Sequence, residues 1–132
     1  MKFKSLFAIA ISLLTINISI AANNANEICL TRNCKLIIDA GSSGSRAHLY
    51  AYDKDENNTP INIDELYVNK ATPGVSNVDY RSIGLYLDNV MQKVPVQNLE
   101  VYFFATAGMR LLPEEEQQSL YGNILQWFGE HP

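Results

Sequence analysis

Basic residues are scarce in this 132-residue chain: ten Lys and Arg stand against fourteen Asp and Glu, for a formal net charge of −4. They form no run, and without a basic face to neutralise backbone phosphates a nucleic-acid partner is excluded. A single nucleotide is not, because a cation and a nest of N–H groups act locally. Long apolar runs are also missing. The stretch from Leu6 to Leu14 is the most continuous, and Ser12, Thr15, Asn17 and Ser19 break it up well before the roughly 20 residues that a membrane helix needs. There are two cysteines and two histidines, and His48 and His131 lie far from Cys29 and Cys34, which argues against a zinc site. No internal repeat or low-complexity linker is present, so the chain reads as one domain at most.

Lys2 and Lys4 precede the apolar stretch, and Ser19-Ile20-Ala21 supplies small residues where a signal peptidase cuts. Residues 1–21 therefore read as a signal peptide, with an uncleaved anchor as the alternative. The expected location is exported, either periplasmic or secreted, with no stable membrane span once the signal is removed. Cleavage also takes away two lysines and leaves a more acidic remainder. In such a compartment Cys29 and Cys34 are a disulfide candidate, with two free thiols as the alternative.

The pattern along the rest of the chain alternates between period two and helical spacing, as in an α/β domain. Lys35–Ile38 reads as a first, central strand. Gly41 and Gly44 then force a turn, and residues 46–52 return with Ala47, Leu49 and Ala51 on one face and His48, Tyr50 and Tyr52 on the other. Residues 61–68 alternate imperfectly, as suits an edge strand. From Asp79, a reasonable N-cap, the spacing changes: Ile83, Leu87, Val90, Met91 and Val94 share one helical face, and Pro95 is the expected stop. Residues 99–104 are too aromatic and β-branched for a helix. Pro113 at a first helical position and Glu114–Glu116 in the first turn open a second helix, with Leu120, Ile124, Trp127 and Phe128 on its core face.

The order strand, strand, strand, helix, strand, helix is similar to the opening of a ribonuclease-H-like domain of the actin, sugar-kinase and Hsp70 superfamily. The expected fold is thus an incomplete α/β first domain, a mixed sheet with flanking helices. In it the first and fourth strands are parallel neighbours, and ligands bind beyond their carboxyl ends. Two loops would leave those ends: Asp39-Ala40-Gly41-Ser42-Ser43-Gly44-Ser45-Arg46 and Ala105-Thr106-Ala107-Gly108-Met109-Arg110. A carboxylate, small hydroxyl residues and glycines at such a place suit a phosphate and a divalent cation held against backbone N–H groups.

These two loops resemble the first and second apyrase signatures of the nucleoside triphosphate diphosphohydrolases, the apyrase or ectonucleotidase family. Lys70-Ala-Thr-Pro-Gly-Val-Ser76 resembles a stretch that family carries between them. The resemblance covers residues 36–112 and implies an exported hydrolase that releases the terminal phosphate of nucleoside tri- and diphosphates with Mg²⁺ or Ca²⁺. It implies phosphate contacts from Ser42, Ser43, Gly44, Ser45 and Arg46. Asp39 would hold the cation through water, and Thr106 and Ala107 would sit near the terminal phosphate and the attacking water. The family's catalytic glutamate belongs to a third signature that would fall beyond Pro132. The resemblance therefore implies a truncated N-terminal segment, inactive in isolation. The alternatives are a non-catalytic nucleotide- or phosphate-binding fragment and a relative of the exopolyphosphatases. Residue by residue the blander readings are turn residues at Ser42 and Ser45, a structural His48, a bracing Arg110 and a solvated helix start at Glu114–Glu116.

Overall fold

The computed structural model describes residues 24–105 and 109–131. Residues 1–21, read above as a signal peptide, and Thr106, Ala107 and Gly108 of the second loop lie outside the described residues.

Four strands form one mixed sheet in the order β3-β2-β1-β4. Strand β1 (Asn33–Ala40) is central, as its short continuous apolar run requires. It pairs antiparallel with β2 (Ser45–Lys54) and parallel with β4 (Glu100–Ala105). Strand β3 (Pro60–Ala71) is an edge and runs longer than the alternation predicts. The register between β2 and β3 slips between Leu49 and Tyr50 and again between Ala51 and Asp53. Such bulges change which face successive residues occupy, which is why the alternation there is broken.

All three helices contribute to a core on one face of the sheet. Leu36, Ile38, Ala47 and Leu49 of the strands meet Ile83, Leu87 and Val90 of α2 (Ile83–Met91) and Leu120 and Ile124 of α3 (Glu114–Glu130). Ala25 adds α1, residues 24–31, a helix that the sequence pattern did not announce. Cys29 of α1 is disulfide-bonded to Cys34 of β1. Arg32, between them, pairs with Asp53 at 3.1 Å and Asp64 at 2.5 Å and donates to the Asn62 carbonyl, so the start of β1 is tied to β2 and to the edge strand β3. The pairing holds the Asp53 carboxyl below its usual range, chiefly through Asn62 and then Arg32. Among the described residues no helix is long and apolar enough to cross a membrane.

Two helix ends differ from expectation. Helix α2 stops at Met91, well before Pro95: Gln92 leaves the helical region with a ψ of 109°, and Lys93 follows with a left-handed φ of 88°. Pro113 is the cap rather than the first residue of α3, and Asp79 caps a short 3-10 helix (Tyr80–Ser82) that leads directly into α2, accepting from the Arg81 N–H at 2.8 Å.

Leu87 is fully buried and Leu85, on the other side of the same helix, is 76% exposed. Leu87→Ala should therefore cost about 2–5 kcal/mol of unfolding free energy in urea, and Leu85→Ala no more than about 0.5 kcal/mol. Equal costs would show that α2 does not pack by this face.

Candidate functional site

Ala40 ends β1 and Ala105 ends β4, and the two are register partners. The parallel pair thus brings the carboxyl ends of the two strands to the same level of the sheet. Beyond the undescribed residues, the chain resumes in a 3-10 helix (Met109–Leu111) that contacts another at Val75–Asn77. Met109 is buried in the core. Both flanks of the second loop are therefore anchored beside the first.

The first loop is the tip of the β1–β2 hairpin. Ala40 pairs with Ser45, and the Gly41 N–H donates to the Gly44 carbonyl at 3.0 Å, leaving Ser42 and Ser43 exposed at the tip. No glycine among the described residues has a positive φ, so the loop does not need glycine for a left-handed turn. Close approach is the reason instead. A β-carbon on Gly44 would sit 2.7 Å from the Ala71 carbonyl oxygen, and one on Gly74 2.1 Å from that of Ser42. Both are below any real contact, so β3 and the segment after it press directly against the loop.

The predicted site residues divide by strand alternation. Asp39 and Arg46 are cross-strand partners on the sheet face away from the helices, and Lys70 is the next partner along that row. Arg46 and Lys70 are exposed, and neither pairs with a carboxylate among the described residues. The Lys70 stem lies over the loop, its Cε 3.5 Å from where a Gly44 β-carbon would be. Ser45, by contrast, is fully buried and faces the core. Its hydroxyl lies 2.8 Å from the Tyr86 hydroxyl, which lies 2.7 Å from the Pro73 carbonyl. A phenol has one proton and a carbonyl can only accept, so Tyr86 donates to Pro73 and the Ser45 hydroxyl donates to Tyr86. Burial pushes the Tyr86 phenol up, and the Ser45 contacts oppose that shift. The Ser45 side chain braces the loop from inside, while its neighbours Ser42 and Ser43 are free to meet a ligand.

No group of three or more His, Cys, Asp or Glu side chains among the described residues could hold a metal ion. Asp39 is the one carboxylate of residues 39–46, and a single carboxylate holding a water suits a hard cation whose oxygens come from phosphate and water. A concavity lies elsewhere, along the outer edge of β4, lined by apolar side chains such as Val101, Phe103, Ile124 and Phe128. Its lining holds no Lys or Arg. His48 is held 2.6 Å from Glu65 and stacks on Tyr50, away from the loop tip. Sequence reasoning picked out Gly74 only as part of the Lys70–Ser76 stretch, and did not pick out Tyr86 or Asn77; all three lie behind the loop. The one available signal was the Thr72-Pro73-Gly74 turn, whose glycine marks the close approach.

Tyr86→Phe would leave the buried Ser45 hydroxyl without its acceptor, at a cost of about 1–3 kcal/mol. Adding Ser45→Ala should recover part of that loss. In urea unfolding the double variant should be less destabilised than the sum of the singles; strict additivity would show that the two hydroxyls are not coupled.

The GDA1/CD39 (nucleoside phosphatase) family model matches residues 29–130. The chain is 36% identical over 105 residues to probable apyrase 3 of Arabidopsis thaliana, covering 67% of this chain and 22% of that protein. It is 35% identical over 104 residues to the nucleoside-triphosphatase ntp-1 of Caenorhabditis elegans, covering 67% and 19%. To the guanosine-diphosphatase of Schizosaccharomyces pombe it is 31% identical over 117 residues, covering 82% and 20%. The chain thus spans about a fifth of the length of these relatives. With the matched residues running from the disulfide at Cys29 to the end of α3 and including both loops, the chain belongs to the GDA1/CD39 (nucleoside phosphatase) family.

Proposed function

We propose that this chain carries the phosphate-binding portion of an exported apyrase-type hydrolase, one that releases the terminal phosphate of nucleoside tri- and diphosphates with the help of Mg²⁺ or Ca²⁺. The observation that supports it most is the juxtaposition of two carboxyl-terminal strand ends, Ala40 and Ala105, in a chain whose relatives are named for apyrase, triphosphatase and diphosphatase activity. The ribonuclease-H-like assignment of the sheet belongs to the same reading, as does the signal peptide at residues 1–21.

In this reading Ser42 and Ser43 donate to the phosphate oxygens through their hydroxyls, with backbone N–H groups of the 42–44 turn alongside. Arg46 adds charge-assisted donation from the open face of the sheet. Asp39 orients a water on the cation, which when bound spreads the phosphate charge. Thr106 and Ala107 lie by the terminal phosphate. The contribution of all of these is positioning and charge neutralisation of an in-line displacement. Ser45 serves as the internal brace described above.

The test is phosphate release from ATP and ADP with Mg²⁺ or Ca²⁺, assayed on this chain and on any longer product of its gene. In whichever product turns over, Ser43→Ala and Thr106→Ala should each lower turnover by about 10²-fold, the usual cost of one lost donor. Wild-type rates in both variants would remove these residues from the site. Nucleotide binding without phosphate release from any product would favour a binding module instead.

A further inference from the structure

The proposed phosphate loop is held from behind by residues 74–77. Asn77, in the short 3-10 helix Val75–Asn77, places its Nδ2 3.2 Å from the Ser42 carbonyl oxygen. A carbonyl only accepts, so the carboxamide nitrogen is the donor and the orientation of the Asn77 amide follows. Gly74 caps that helix and reaches the same carbonyl. With a φ of −64° it needs no glycine for its backbone conformation, yet any β-carbon would collide with the Ser42 oxygen at 2.1 Å and the Gly41 oxygen at 2.6 Å. Two neighbours therefore converge on one carbonyl at the tip of the loop.

That convergence has a directional consequence for the next residue. The Ser42–Ser43 peptide is trans, and in a planar trans peptide the C=O and N–H point in opposite directions. With the Ser42 carbonyl turned back onto Asn77 and Gly74, the Ser43 N–H points away from them, and no described residue accepts its hydrogen bond.

We propose that Asn77 is a positioning residue for anion binding: by holding the Ser42 carbonyl it aims the Ser43 N–H at a phosphate oxygen, with Gly74 providing the room. The inference rests on the phosphate reading of the loop and adds the group that sets the loop's polarity. If the peptide rotated, a carbonyl dipole would face the anion where an N–H should, converting an attraction into a repulsion.

The test is an NMR titration of the 132-residue chain with inorganic pyrophosphate and Mg²⁺, following the backbone amide signals. In the wild type the Ser43 amide should move downfield on binding. Asn77→Ala should weaken binding by about tenfold or more, the worth of one N–H bond to a charged acceptor, with the thermal midpoint unchanged and the Ser43 shift reduced. Asn77→Gln, which keeps a carboxamide donor, should recover both. Wild-type affinity and an undiminished Ser43 shift in Asn77→Ala would overturn the inference alone, as would a loss that Asn77→Gln does not recover. No binding by the wild type would overturn the phosphate reading and this inference with it.

Discussion

The register between β1 and its two neighbours is the constraint on which the rest of the structure depends. Leu36, Ile38 and Ala40 point to the helices and are buried without exposed surface. A slip of one residue in either pairing would send all three to the opposite face. The core therefore locks the pairing of Ala40 with both Ser45 and Ala105, and that pairing brings the hairpin tip and the end of β4 to one level. Burial at one end of the strands becomes position at the other, in a region that carries little apolar surface of its own.

Strand alternation then sorts the loop residues by task. Ser45 and Arg46 are adjacent in the chain and opposite in role, one buried against Tyr86, the other exposed on the far face in a row with Asp39 and Lys70. Asp39 faces Arg46 across the strand pair, and Lys70 adds a second cation to that row. Their position next to a turn of exposed serines makes local electrostatics, rather than the acidic net charge, the relevant field for a small anion. The glycines of this region serve the same end by letting β3 and the 73–77 segment approach the loop backbone.

Much of the fold was legible because the strands and helices are amphipathic. The alternating Ala47, Leu49 and Ala51, and the helical spacing of Ile83, Leu87 and Val90, mark core faces directly. What escaped has a physical reason in each case. Residues 24–31 present a single buried alanine, too little for a periodic signal. The bulges opposite Tyr50 and Ala51 scramble the alternation of β3. The end of α2 is set by the backbone at Gln92 and Lys93, residues whose side chains announce no stop. For the site, the exposed serines and the carboxylate could be picked out by residue type, whereas the supports behind them could not. Tyr86 reads as one more core aromatic, and Asn77 as one more polar residue in a loop.

By itself the sequence determined the chain's family, through loops whose residue types and order are specific, and the core faces, through periodicity that burial enforces. Only the tertiary structure decided which hydroxyls of the loop face inward and which outward, and which way the Ser42–Ser43 peptide points. Those orientations follow from contacts between residues far apart in the chain, Ser45 with Tyr86 and Ser42 with Asn77. Local preference cannot set such contacts, because each depends on where the packed core carries its partner.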